Sequence, residues 1–587
     1  MSDDDRPSAQ VLAPAERAVI ERWIALDPDP ATKVALETEL ASDPAAANAR
    51  FGGRIGFGTA GLRAPMAPGP MAMNRLVVRQ TTLGLLRWLD RRRETEQSPA
   101  VVVGYDARYN SKAFAEDVAA VVAGAGVRAE ILGEPTPTPV LALAVLERTA
   151  SAGVMITASH NPAADNGYKL YLADGIQLVG PADAEIAAEI ERVAMEMSDQ
   201  ASTIEEARSV ISLAPEAVEV LDNRCARLHR DAARRACVTT ERDVRVLYTA
   251  MHGVGGKQLL DAFAAAGFPE PDVVPEQFDP DPDFPTAPYP NPEEAGALDL
   301  ALQAAADADG SDSPYDVILA NDPDADRLAA AVPGRDGRWR ALSGDHVGVL
   351  LADHLLANTD GDDRLVASSL VSSRLISAMA DAAGVADVRT LTGFKWVARP
   401  IVDRPNHRFL LGYEEALGYC VGDRVRDKDG ISAALVFAEL VAGTKRRGES
   451  LHDRLDQLAL RHGLYRTRPV TLVFAGPTGT ADRESVMASI RTAPPQTLGG
   501  VDVAETVDLA DGDDLPPTDG VVWHLVDRSR VIVRPSGTEP KLKAYLEVIE
   551  PVADAVALDS ATTTADARLD SLAAAVRSLL LPENKLV

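Results

Sequence analysis

Two spacings of apolar residues alternate along this chain. Short β-branched or apolar runs at 101–103, 127–132 and 152–156 predict buried strands, and a helical period of apolar positions at 113–123 falls between them. The same rhythm returns with a strand at 244–248, a helix at 256–266 and a strand at 316–320. It returns again with a helix at 346–356, a strand at 365–369, a helix at 374–383 and a strand at 409–411. Alternating strands and helices predict an α/β class, here three related α/β units. Beyond about residue 469 the pattern changes to strands at 531–533 and 542–548 and a helix at 569–579, which predicts a smaller α+β domain. Helical patterns at 14–26, with proline in the tolerated first turn, and at 31–40 predict an N-terminal helical extension. The expected boundaries are an extension at 1–50, α/β domains at 51–225, 240–340 and 341–465, and the α+β domain at 466–587.

At 587 residues the chain has room for roughly four domains. Its 46% apolar and 25% charged residues exclude wholesale disorder. Lys and Arg number 59 against 88 Asp and Glu, a formal net charge of −29. Nucleic acid is thereby excluded as an expected partner, since phosphate-backbone binding needs a concentrated basic surface. An anionic substrate would need cations gathered locally against this field. Cys225, Cys237 and Cys420 lack the spacing of a zinc site or a disulfide framework. The acidic start and the lack of a long apolar run predict a cytoplasmic chain with no membrane partner. Proline-rich and acidic segments at 269–292 and 511–519 read as loops without chemistry.

Four loops carry candidate chemistry, each following an apolar strand, where open α/β sheets bind ligands. In Thr157-Ala158-Ser159-His160-Asn161-Pro162, Ser159 stands exposed at a strand end as a nucleophile must, although a helix-capping turn serine would read alike. In Asn321-Asp322-Pro323-Asp324-Ala325-Asp326-Arg327, carboxylates at alternate positions of an extended segment point to one side and form a magnesium-like cage. A calcium loop is excluded because Arg327 and Pro333 occupy the positions that need Gly and Glu. The similar run 279–283 follows no strand and reads as solvated linker. Three carboxylates and one divalent ion leave about −1, and a phosphoserine adds about −1.5 to −2, so cations must be near. Arg327 and Lys169 are the local candidates. In Glu414-Glu415-Ala416-Leu417-Gly418, paired carboxylates can accept from vicinal hydroxyls. In Arg534-Pro535-Ser536-Gly537-Thr538-Glu539-Pro540-Lys541, Arg, two hydroxyls, Gly and Lys make a phosphate cradle.

Together and in this order, these loops resemble the α-D-phosphohexomutase superfamily of phosphoglucomutases and phosphomannomutases. Residues 157–162 resemble its phosphoserine loop, 322–327 its magnesium loop, 414–418 its sugar-binding loop and 534–538 its phosphate-binding loop. Residues 56–63 resemble its N-terminal signature and Thr392-Gly393-Phe394-Lys395-Trp396 another active-site stretch. The resemblance covers about residues 50 to 550. It implies three related α/β domains and a C-terminal domain around a central active-site cleft, in a monomer or homodimer. It also implies an isomerase, an intramolecular phosphotransferase acting on a small sugar phosphate.

Phosphorylated Ser159 would donate to a sugar monophosphate, and the bisphosphate so formed would reorient and return its other phosphate. Ser159, Asp322, Asp324 and Asp326 would hold Mg2+, with a sugar bisphosphate as primer. Arg63, Lys169, Lys395 and His160 match catalytic positions, among which the general acid or base stays open. Arg327, Glu414, Glu415, Arg534, Ser536, Gly537, Thr538 and Lys541 would bind substrate. Many members carry Ser where Ala416 stands, and the Glu-Glu-Ala-Leu-Gly form with a long N-terminal extension looks more like the branch that includes phosphopentomutases and bisphosphate synthases. The expected substrate is a hexose phosphate of glucose or mannose, with ribose or deoxyribose phosphate, or sugar 1,6-bisphosphate synthesis, as alternatives, and a silent sugar-phosphate binder as the remotest.

Overall fold

The computed structural model describes residues 12–58, 61–92, 99–310, 313–474, 476, 478–512, 515–536 and 541–581. Three mixed sheets and one antiparallel sheet follow one another along the chain. The first has six strands in the spatial order Leu62–Pro65, Asp165–Leu172, Ala152–Ile156, Ala100–Tyr105, Arg128–Leu132, Glu219–Leu221. Ala100–Tyr105 pairs in parallel with both Ala152–Ile156 and Arg128–Leu132, and all residues of Ala100–Tyr105 and Ala152–Ile156 are buried. Helices covering both faces explain why these strands read as continuous apolar runs rather than as alternation.

The second sheet runs Trp339–Ala341, Ala329–Pro333, Val317–Ala320, Val246–Thr249, Asp272–Val273, and the third Ala386–Thr390, Arg364–Ser369, Arg408–Glu414, Gly418–Val421. The fourth pairs Leu464–Val473, Lys541–Glu550, Arg530–Pro535, Val521–Leu525, Val501–Asp508 and Thr497–Leu498, each pair antiparallel. Met487 and Ile490 of helix Gly479–Thr492 share its core with Leu569, Leu572 and Val576 of helix Leu558–Leu580.

In the first three sheets the candidate loop reverses through one left-handed residue that is not glycine: Ser159 (φ 51°), Ala325 (φ 55°) and Leu417 (φ 60°). Such a backbone costs on the order of 1 kcal/mol or more and persists only where the surroundings impose it.

Ile20, Trp23, Leu26, Leu36 and Leu40 of the helices Pro14–Leu26 and Pro30–Ser42 lie in the same apolar core as the first sheet. One sequence expectation needs correction. Segment 269–292 does more than link, because Gln277 and Phe284 are buried in it. Among the described residues no helix is long and apolar enough to cross a membrane.

Candidate active site

The buried strand Ala152–Ile156 delivers Thr157 and Ser159 to a loop whose shape is set from outside. Thr157 Oγ1 donates to Asp106 Oδ2 at 2.6 Å and accepts the Ser159 N–H at 2.9 Å. Arg108, 5% exposed, donates to the carbonyls of Ser159 (2.5 Å), Asn161 (2.6 Å) and Pro162 (2.8 Å). Asp106 pairs with it at 3.4 Å, and the Phe284 ring centroid lies 4.8 Å from its guanidinium carbon. This clamp satisfies carbonyls that a strained loop would otherwise leave unpaired. Ser159 Oγ then donates to Asp322 Oδ2 at 2.6 Å and lies 3.1 Å from His160 Nδ1. Burial, helped by the positive charges of Arg327 and Arg63, holds His160 well below the usual imidazole range, so its ring is neutral.

Asp322, Asp324 and Asp326 converge with ligand oxygens within 4.8 Å of one another, all buried. They do so by a different route from strand alternation. The segment is a turn closed by Ala325 N–H donating to the Asp322 carbonyl at 2.8 Å, with Ala325 left-handed. Asp322 Oδ1 accepts the Arg327 N–H (2.9 Å). Lys169 Nζ, fully buried, donates to Asp324 Oδ2 (2.6 Å) and Asp326 Oδ2 (2.7 Å). Asp324 Oδ1 and Asp326 Oδ1 are buried without a hydrogen-bond partner among the described residues. Two orphaned hard oxygens beside a third carboxylate fit a small divalent cation. Burial and then its two carboxylate neighbours push Asp322 well above the usual carboxylate range. Burial also raises Asp326, but Lys169, Lys428 and Arg327 outweigh it and hold that group below the ordinary value.

The other candidates divide by distance from this centre. Arg63 reaches Asn161 Oδ1 at 3.4 Å, with its buried Nε unpartnered among the described residues. Arg327 pairs with Glu293 at 3.2 Å. Glu414 accepts the Gly393 N–H at 2.6 Å, and Glu415 sits 3.3 Å from the hydroxyls of Ser369 and Ser372. Arg534 acts on Glu414 electrostatically, and Arg530, donating to the carbonyls of Leu370 (2.9 Å) and Ser372 (3.0 Å), brings the fourth sheet to the third. The Ser536 carbonyl accepts from Arg483 (2.9 Å), and its N–H donates to the Lys541 carbonyl (2.9 Å). Gly537 and Thr538 lie outside the described residues. Lys395 stands apart from the aspartates in a cavity with Phe57, Gly58, Gln177 and Asp183.

Sequence reasoning passed over Arg108, Thr138, Ser372 and Lys428. Lys428 Nζ lies 3.3 Å from Asp326 and 3.6 Å from Asp427, between two acids at the start of helix Gly430–Arg446. Its run, Asp427-Lys428-Asp429-Gly430, and Asp106-Ala107-Arg108 after a buried strand were the available signals.

Four family models match consecutive parts of the chain. They are the phosphoglucomutase/phosphomannomutase alpha/beta/alpha domains I (residues 54–197), II (230–335) and III (343–460) and the C-terminal domain of the same family (500–558). The chain is 41% identical over 481 residues to a Haemophilus influenzae protein described as "probable phosphomannomutase", covering 81% of this chain and 93% of the relative. It is 35% identical to the human phosphopentomutase (85% and 86% covered) and 32% identical to the human glucose 1,6-bisphosphate synthase (90% and 89%). Among solved structures, the open form of the Paramecium phosphoglucomutase parafusin superposes with a TM-score of 0.64 at 18% identity, covering 92% of this chain and 97% of that one.

Proposed function

We propose, for a chain that belongs to the phosphoglucomutase/phosphomannomutase family and is therefore an isomerase transferring phosphate within its substrate, that it moves phosphate between C1 and the terminal carbon of a hexose phosphate, glucose or mannose. The observation that carries this reading is the Ser159 hydroxyl held 2.6 Å from a buried aspartate trio that keeps two oxygens free.

In the forward step the bond between phosphorus and Ser159 Oγ breaks and a new one forms to a sugar hydroxyl oxygen. The hydroxyl proton passes to a base as Oγ, departing on the opposite side of phosphorus, takes up a proton; His160 Nδ1, 3.1 Å from Oγ, is placed to exchange a proton with Oγ rather than with the sugar hydroxyl. After the bisphosphate turns over in the cleft, Oγ gives up its proton as it takes back the other phosphate, and the sugar oxygen released regains one. Magnesium held by Asp322, Asp324, Asp326 and an oxygen on Ser159 would offset charge on the transferring group. Arg63 and Lys428 add positive charge around the transfer position, while Arg108 keeps Oγ aimed. Arg534, Ser536, Gly537, Thr538 and Lys541 grip the phosphate that is not in transfer, and Glu414 reads the ring hydroxyls. A sugar bisphosphate primes the cycle by phosphorylating Ser159.

Ala416 favours a second reading, pentose phosphate as an additional substrate, since it removes one hydroxyl contact at the ring; a relative named phosphopentomutase supports the same reading. The test is a turnover panel of glucose, mannose, ribose and deoxyribose 1-phosphates with magnesium and a trace of bisphosphate. Hexose turnover exceeding pentose turnover is the expected result. Pentose turnover alone would replace the first reading with the second, and, with an acyl phosphate added as phosphoryl donor, accumulation of bisphosphate as the product would replace both with a synthase.

A further inference from the structure

Thr138 opens the helix Thr138–Glu147 and is fully buried. Its hydroxyl donates to Asp324 Oδ2 at 2.5 Å, and its backbone N–H donates to the Asp324 carbonyl at 2.9 Å. One residue thus grips both the side chain and the main chain of a single aspartate 186 positions away. Helix position explains why the hydroxyl is available. Inside a helix a threonine hydroxyl bonds back to the preceding turn, whereas the first residue has no preceding turn to accept it.

Lys169 donates to the same oxygen, Asp324 Oδ2, at 2.6 Å. With two donors on one oxygen and none among the described residues on the other, the carboxylate cannot exchange its oxygens without losing both bonds. We infer that Thr138 is a positioning residue for Asp324, locking the carboxylate so that Oδ1 faces the cation; this rests on the metal reading above. The grip also reaches the nucleophile. Thr136 N–H bonds the Tyr105 carbonyl at 2.8 Å, and Tyr105 ends the strand paired with Ala152–Ile156, which leads to Ser159. Thr138 therefore joins the layer that carries Ser159 to the turn that carries the aspartates.

The probe is Mn2+ binding to the full chain, followed by the electron paramagnetic resonance of free Mn2+, without substrate. Wild type should bind one ion. Thr138→Val keeps the shape and the N–H but removes the hydroxyl, and should bind about tenfold or more weakly, as loss of a group holding a metal ligand typically costs. Thr138→Ser keeps the hydroxyl and should bind as wild type does. A role in packing alone predicts the reverse order, Val unchanged and Ser weakened, and that order would overturn the inference, as would equal affinity in all three. A wild type that binds no Mn2+ would instead remove the metal reading itself. Should Thr138→Val fail to fold, Mn2+-induced rises in melting midpoint decide between Thr138→Ser and Thr138→Ala: kept in Ser and lost in Ala supports the inference, equal in both overturns it.

Discussion

Lys169 Nζ lies 2.6 Å from Asp324 Oδ2 and 2.7 Å from Asp326 Oδ2, with all three groups sealed from solvent. The ammonium comes from the first sheet and the carboxylates from the turn after Val317–Ala320, so this contact is both charge balance and the joint between two layers. Removing one partner of a buried pair leaves the other charge uncompensated, at about 3–5 kcal/mol. Lys169→Met should lower the melting midpoint strongly in chelator, and magnesium should restore part of the loss. Adding Asp324→Asn to Lys169→Met should also recover stability, because one fewer carboxylate is stranded. A single mutant that melts as wild type does would show that the contact does not hold the layers together.

Ser159 should carry phosphate on a fraction of the purified protein, detectable by peptide mass spectrometry. Ser159→Ala should lose both the phosphate and turnover, and its melting midpoint should fall modestly, since the buried Asp322 loses the hydroxyl donor it has at 2.6 Å. Normal turnover in this variant would assign the carrier elsewhere.

Arg108 donates to three loop carbonyls at 2.8 Å or less. Arg108→Lys keeps the charge but offers a point donor in place of the planar fork. Displacement of Oγ by about 1 Å can cost on the order of a hundredfold in rate, so kcat should fall by about that much. The melting midpoint should fall as well, because buried loop carbonyls lose donors that a single ammonium cannot replace. A kcat within twofold of wild type would mean that the loop keeps its shape without the clamp.

Arg534→Ala should mainly raise KM for the monophosphate, because a grip on the spectator phosphate persists from ground state to transition state. An unchanged KM would place that phosphate away from the fourth sheet.

Burial, then the charges of Glu414, Asp345 and Glu293, pushes Glu415 up to about 8 from an ordinary 4.5. Between those values the folded chain keeps a proton that the unfolded chain releases. The contribution of Glu415 to stability is therefore full below about pH 4.5 and is lost as pH rises through about 8. The wild-type melting midpoint should fall from pH 6 to 8.5 more steeply than that of Glu415→Gln. Parallel curves for the two proteins would refute this protonation.

What the amino-acid sequence determined by itself was local. Each candidate loop joins a β-branched run to a short polar motif, and both strand and motif are encoded within about ten adjacent residues, so Ser159, the three aspartates, Glu414 and Arg534 could be singled out as candidates. The family resemblance rests on those same short segments. The convergence of the aspartates was legible too, but its cause was not. A turn through a left-handed Ala325 gathers them, and nothing in Asp322-Pro323-Asp324-Ala325-Asp326 announces that conformation, because alanine pays for it and glycine would not.

Only the tertiary structure decided which groups hold the motifs in place. Thr138 sits in a stretch without a local signal, the short acid-flanked runs around Arg108 and Lys428 do not say what those residues hold, and Phe284 lies in a segment whose prolines and acids read as linker. Their roles arise from contacts between parts of the chain far apart in sequence: Thr138 to Asp324 spans 186 positions, Ser159 to Asp322 spans 163 and Lys169 to Asp324 spans 155. Periodicity and motif spacing report on neighbours along the chain. A buried hydrogen bond between two sheets is fixed instead by how their layers dock, where an unpaired charge or donor would cost several kcal/mol.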